Sequence, residues 1–232
     1  MQVGILEVGR PPEELGGRFA SYPEMAAEWL GCAPGTATVY PLIDGVPPPA
    51  TEDNDLWVIT GSRHGVYEDH AFIPPLKDFI RAAFANGRRL VGICFGHQAI
   101  ASALGGEVIR SPMGWGLGPH AYDVDPAGAP EGFPLQALHM HAFHQDQVTR
   151  PPEGAVLLAS SDFCRNAAFW YPGRAISFQG HPEFRDDYMR ALLETRRGRV
   201  LPEALADRTL ARLGAPDNCA ALAAFVRRTE AW

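Results

Sequence analysis

Two hydrophobic rhythms alternate through the first hundred residues. Gln2 to Val8 is a strand-length run dominated by Val, Ile and Leu, the pattern of a strand buried in a sheet. A Pro/Gly/Glu segment from Arg10 to Gly17 follows as a loop. Phe19, Tyr22, Met25, Ala26, Trp29 and Leu30 then recur at helical spacing until Gly31, which predicts a helix over Phe19 to Leu30. Thr36 to Leu42 reads as the next strand, Val46 to Ala50 as a Pro-rich linker, and Leu56 to Thr60 as a short strand rich in β-branched residues. Ile73 to Ala85 begins with two prolines and is ended by Asn86-Gly87, which marks both boundaries of a helix. Arg89 to Ile93 is another strand, and Gly96 to Leu104 a helix of small residues.

Alternation of this kind predicts an α/β fold: a doubly wound, mostly parallel sheet with helices on both faces. After Gly105 the character changes. Short strand-like runs at Glu107 to Arg110, His120 to Val124, Leu135 to Met140, Val156 to Ser160, Ala167 to Trp170 and Ala175 to Phe178 predict hairpins that extend or flank the sheet. Glycines around Trp115, from Met113 to Gly118, suggest a hairpin tip used in packing. From Phe184 the pattern is helical, over Phe184 to Arg197, Pro202 to Leu213 and Asp217 to Arg228. Residues 1–198 are therefore expected to form the main domain, with 199–232 as a helical extension packed on it.

Composition narrows the function classes. Of 232 residues, 46% are hydrophobic and 20% charged, enough to build a core. The net charge of -7 argues against nucleic acid as a partner, because phosphate binding needs a basic face. No run approaches the roughly 18 apolar residues of a membrane span, and Met1 to Gly9 has no basic leader. Cys32, Cys94, Cys164 and Cys219 are widely spaced, with no C-x-x-C pair. A reduced, cytoplasmic chain with one functional thiol is expected.

That thiol is Cys94. In Leu90-Val91-Gly92-Ile93-Cys94-Phe95-Gly96-His97-Gln98, a buried strand runs into the cysteine and a helix starts directly after it. Glycines two residues to either side allow the tight turn and the close passage of strand and helix, as in a nucleophile elbow. A thiol at the amino end of a helix is favoured as thiolate. The next backbone N–H, of Phe95, points toward a developing oxyanion. Cys32, Cys164 and Cys219 lack this context and read as structural. A cysteine nucleophile needs a base, and Phe178-Gln179-Gly180-His181-Pro182-Glu183-Phe184 also lies between a strand and a helix. His181 can take the thiol proton, and Glu183 can accept from the other ring nitrogen and fix the tautomer.

The paired segments Gly92-Ile93-Cys94-Phe95-Gly96-His97-Gln98 and Gly180-His181-Pro182-Glu183-Phe184 resemble the class I (triad) glutamine amidotransferase family, with its flavodoxin-like fold. The resemblance implies Cys94 as nucleophile, His181 as base and Glu183 as orienting acid, with Gln98 against the amino-acid end of the substrate. Thr60-Gly61-Ser62-Arg63 is similar to the family's oxyanion loop, with Ser62 and Arg63 in place of a second Gly and a Pro. This form is expected in members resembling γ-glutamyl peptidases and leaves Gly61 or Ser62 as the backbone donor. His144-Gln145-Asp146-Gln147-Val148 is similar to a segment that lines the glutamine pocket. It adds His144, Gln145 and Asp146 as candidate substrate-binding residues, with Gln145 where the family has Gly.

His139, His141 and His144 lie close together, and a strand puts the first two on one face. No further ligand-spaced residues complete a site, so no metal and no organic cofactor is expected. The activity implied is hydrolysis of the γ-amide of glutamine, or of a γ-glutamyl compound, through a Cys94 thioester. Roughly fifty residues follow His181, too few for a synthase domain, so released ammonia would need a separate synthase partner. The alternatives are a γ-glutamyl peptide or amide hydrolase with no acceptor, or a non-catalytic binding protein of the same fold.

Overall fold

A computed structural model of the protein describes residues 1–15 and 17–228. Gly16 of the predicted Arg10 to Gly17 loop and residues 229–232 of the predicted extension lie outside the described residues. In chain order the elements are β1 (Val3–Glu7), α1 (Tyr22–Trp29), β2 (Thr38–Pro41), β3 (Leu56–Ile59), α2 (Ile73–Ala85), β4 (Arg89–Ile93), α3 (Phe95–Ala103), β5 (Glu107–Arg110), β6 (Gly116–Val124), β7 (Ala137–His144), β8 (Asp146–Arg150), β9 (Val156–Ser160), β10 (Ala168–Tyr171), β11 (Ala175–Phe178), α4 (Asp186–Arg196), α5 (Glu203–Leu210) and α6 (Cys219–Arg227).

The main sheet has the order β2-β1-β3-β4-β11-β10-β9-β6-β7. Strands β2, β1, β3, β4 and β11 run parallel. They form the expected α/β core, and the strands beyond β11 extend it in antiparallel hairpin fashion. One face is covered by α1 and α6, which bury Ala26, Leu30, Leu222, Phe225 and Val226 against Val58, Val91 and Ile176. Helices α2 and α3 cover the other, with Leu76, Ile80, Ala99 and Ile100 against Leu6, Trp57, Ile59 and Leu90. At about 25 cal/mol per Å² of apolar surface removed from water, these two layers dominate the stabilisation. A third cluster, around Tyr188, Met189 and Leu193 of α4, packs on Leu15 and Leu117. No helix among the described residues is long and apolar enough to cross a membrane.

Several local boundaries differ from the expectations. Helix α1 starts at Tyr22 because Ser21 caps it, in a capping box with Glu24. The side chains satisfy N–H groups that an earlier start would leave to the helix. Helix α4 starts at Asp186 rather than Phe184, with two acidic residues in its first turn. The tip expected over Met113 to Gly118 is shorter, since Gly116–Gly118 are already paired in β6, Gly116 opposite His144. Asp146–Arg150 is a strand that the hydrophobic pattern does not reveal; it pairs antiparallel with β5 in a separate two-stranded sheet.

Register positions the site. Phe178 of β11 lies opposite Ile93 of β4, so the chain leaves the two strands side by side, at Gln179 and Cys94. Ile59 of β3 lies opposite Gly92, which brings Thr60 and Gly61 to the same edge. In an open α/β sheet, ligands bind at these carboxyl ends.

Candidate active site

Cys94 has φ 52° and ψ -100° and is the only non-glycine with positive φ among the described residues. Such a conformation costs of order 1–3 kcal/mol and persists only where its surroundings enforce it. Here they do. The Cys94 N–H donates to the Phe178 carbonyl at 2.8 Å. A Cβ on Gly92 would lie 2.7 Å from the Gly96 carbonyl carbon, and one on Gly96 would lie 2.4 Å from the Ile59 carbonyl oxygen. Both glycines flanking the cysteine are required by close backbone approach. The thiol sits at the start of α3, where the first-turn N–H groups, that of Phe95 included, have no acceptor within the helix.

His181 comes to this thiol from the next strand. Its N–H donates to the His141 carbonyl at 2.7 Å, and its ring stacks on Phe184 with centroids 3.9 Å apart and planes 7° apart. Nδ1 lies 2.8 Å from Glu183 Oε1, which leaves Nε2 for the Cys94 side chain, whose charge acts on the ring. All three groups are buried. Burial alone pushes the imidazole toward neutrality, but the charges of Glu183 and of the Cys94 sulphur, with their hydrogen bonds, outweigh it and raise its pKa to about 10. The second carboxylate oxygen, Glu183 Oε2, is buried without a hydrogen-bond partner, so Glu183 is committed to the histidine.

Gln179 joins the site without a motif of its own to mark it. Fully buried, it directs Nε2 at the Cys94 sulphur at 3.8 Å, while its Oε1 accepts from Gln98 Nε2 at 3.2 Å. The signal available was its position directly after β11, in register with the cysteine.

Gly61 closes the site from the third strand end. A Cβ there would lie 2.9 Å from His181 Cε1 and 3.9 Å from Cys94 Cβ, so the backbone lies against the pair. Ser62 adjoins it, its hydroxyl accepting from the His64 N–H at 3.3 Å. Gln98 is buried and also donates to the Asp146 carbonyl at 3.1 Å. His144 is buried with Nδ1 3.1 Å from that same carbonyl. Its Nε2 has no partner, and burial lowers its pKa to about 3. The Asp146 carboxyl is raised by burial, although the Tyr67 hydroxyl donates to it. Gln145 is drawn away from this group: its side chain accepts from Arg110 at 2.8 Å in an exposed contact on the small sheet.

The three neighbouring histidines diverge. His139 is exposed, His141 lies 3.0 Å from Asp186 through Nε2, and His144 turns to Asp146. Trp115 packs against Phe143, with centroids 5.4 Å apart. Burial pushes the Cys164 thiol up to about 12 and also raises Cys32 and Cys219, so these three are poor nucleophiles at neutral pH.

Comparison with known proteins bears on this arrangement. The sequence profile of the glutamine amidotransferase class-I family matches residues 49–194, which contain Gly61, Cys94, His181 and Glu183. Gamma-glutamyl peptidase 4 of Arabidopsis thaliana is 30% identical over 203 residues, 82% of this chain and 79% of that protein. The glutamine-hydrolysing GMP synthase of Aeropyrum pernix is 39% identical over 110 residues, 47% of this chain and 21% of the synthase. A crystal structure of a glutamine amidotransferase from Thermotoga maritima superposes with a TM-score of 0.71 over 98% of this chain and 99% of that one, at 21% identity.

Proposed function

The chain belongs to the glutamine amidotransferase class-I family, and from that premise we propose that it hydrolyses the γ-amide of glutamine, or of a γ-glutamyl compound, through a thioester on Cys94. The observation that carries this reading is the convergence of Cys94 and the hydrogen-bonded pair His181–Glu183 on two adjacent parallel strand ends, with Cys94 held at positive φ.

The steps follow from the electrostatics. With His181 protonated, the Cys94 sulphur attacks the γ-carbonyl carbon as thiolate and pushes the carbonyl electron pair onto oxygen. The backbone N–H groups of Phe95 and of Gly61 or Ser62 receive that oxyanion. When the intermediate collapses, His181 gives its proton to the departing amine or ammonia. The thioester no longer carries the sulphur's negative charge, so one of the influences raising the His181 pKa is gone. The ring, already neutral after giving up its proton, therefore stays neutral and takes a proton from the water that attacks the thioester; collapse of that second intermediate expels the Cys94 thiolate and releases the γ-carboxylate. Glu183 holds Nδ1–H throughout and fixes the ring. Gln98, with the His144 and Asp146 segment behind it, is assigned to the glutamyl end of the substrate, while Gln145 between them turns its side chain to Arg110.

The span of similarity to the gamma-glutamyl peptidase favours γ-glutamyl compounds as substrates alongside glutamine. If ammonia is transferred rather than released, the acceptor chemistry falls to a synthase active site outside the described residues. The test is a product screen by mass spectrometry comparing glutamine with γ-glutamyl peptides and amines. Release of glutamate from at least one of them, with a glutamine-like electrophile such as a diazo-oxo-norleucine attached at Cys94, is expected. Attachment at Cys164, or no turnover of any γ-glutamyl substrate, would overturn the proposal.

A further inference from the structure

We propose that His64, Glu68 and His70, on the loop between β3 and α2, form a binding site for a divalent transition-metal ion of the Zn²⁺ type. The ligating atoms of the three side chains all lie within 4.8 Å of one another. Glu68 Oε2 is 3.3 Å from His64 Nδ1 and 2.8 Å from His70 Nε2. Ligands about 2.0–2.1 Å from a tetrahedral ion stand roughly 3.3 Å apart; the Glu68–His64 separation matches this, the Glu68–His70 contact would open, and the two rings adjust within the 4.8 Å that spans the group. One carboxylate oxygen already takes both rings, and the ion would take its place as the common partner.

The donor set selects the metal. Two imidazole nitrogens and one carboxylate oxygen suit Zn²⁺, Co²⁺ or Ni²⁺, with water in the fourth position. They do not suit Ca²⁺ or Mg²⁺, which require oxygen-rich shells. The two rings stand close enough to share one ion, with centroids 3.9 Å apart. The partly exposed setting of the cluster leaves room for the water. Arg63 is the nearby cation that opposes binding.

The loop is already shaped for the purpose. The Glu68 N–H donates to the Gly65 carbonyl and the Ile73 N–H to the His70 carbonyl, each at 3.0 Å. Lys77 Nζ holds the Val66 carbonyl at 3.0 Å. His70 stacks on Phe72, with planes 17° apart, and Phe72 in turn meets Phe95 beside the nucleophile, with centroids 6.0 Å apart. Little ordering is needed on binding. The ion would fasten the segment that leads out of Gly61 and Ser62, independently of whether the hydrolytic reading holds.

The experiment uses the full-length chain carrying Cys94→Ser, which removes the competing thiol. Co²⁺ is titrated with visible absorbance as the readout, and Zn²⁺ competition gives the affinity. One Co²⁺ per chain with ligand-field bands is expected, together with a Zn²⁺-dependent rise in Tm. Adding His64→Ala, Glu68→Gln or His70→Ala should each weaken binding at least about tenfold, with the circular dichroism spectrum unchanged, whereas His139→Ala should leave it unaltered. No stoichiometric binding, or binding insensitive to all three substitutions, would overturn the proposal.

Discussion

The side-chain amide of Gln179 bridges Cys94 and Gln98: it donates to the Cys94 sulphur at 3.8 Å and accepts from Gln98 Nε2 at 3.2 Å. Cys94, the proposed nucleophile, and the residue assigned to the glutamyl end of the substrate are therefore coupled through one buried amide. Gln179→Leu, close in volume, removes a donor to the sulphur and an acceptor for Gln98. A fall in kcat/KM of about tenfold is expected, since a hydrogen bond to a charged group is worth about 1.5–3 kcal/mol. The pH dependence of iodoacetamide alkylation at Cys94 should move to higher pH. An unmoved alkylation profile would limit Gln179 to packing.

His181 should report the charge on its neighbour. Its pKa is raised to about 10, against burial, by Glu183 and by the Cys94 sulphur. Capping the sulphur with a neutral alkyl group removes one of those two supports, so the imidazole pKa should fall. Nitrogen-15 NMR of His181 before and after alkylation measures this. No change on capping would mean that thiolate and imidazolium are not paired.

Gly61 leaves no space for a methyl group. In Gly61→Ala the new Cβ would lie 2.9 Å from His181 Cε1 and must push the ring from the sulphur. A loss in kcat of about a hundredfold is expected, the usual scale for a misplacement of about 1 Å, with little change in Tm. Retained kcat would show that the ring can yield without leaving the sulphur.

Gln98→Ala should raise KM by about ten- to a hundredfold on both glutamine and a γ-glutamyl peptide, because the glutamyl end is common to the two. Steady-state kinetics on both substrates decide it. An unchanged KM would remove Gln98 from the pocket, leaving it as a brace between Gln179 and the Asp146 carbonyl.

Much of this arrangement was legible before any coordinates. The α/β alternation up to Leu104 set out the parallel strands. Gly92 and Gly96 marked the elbow because close backbone approach excludes every other residue there. What stayed hidden depended on partners distant in sequence. Asp146–Arg150 is mostly polar and becomes a strand only through pairing with Glu107–Arg110. Gln179 looks like an ordinary polar residue until the β4–β11 register sets it beside Cys94. Gln145 illustrates the converse: its neighbourhood suggests the pocket, but the fold adds an exposed contact in which its side chain accepts from Arg110. His64, Glu68 and His70 follow no helical or strand period, so their convergence appears only once the loop is folded.

The pairing of β4 with β11 has a consequence for how the protein can be handled. Cys94 and Gln179 are 85 positions apart in the sequence, yet the strands that deliver them hydrogen-bond directly to each other. Closing that seam is a long-range event that comes late and slowly compared with local helix formation. A chain interrupted between Val124 and Ala137 would put Cys94 and His181, the proposed nucleophile and base, on separate fragments. Each fragment should be inert alone, and turnover would return only as the two halves dock, which makes hydrolysis a direct clock for assembly of the sheet.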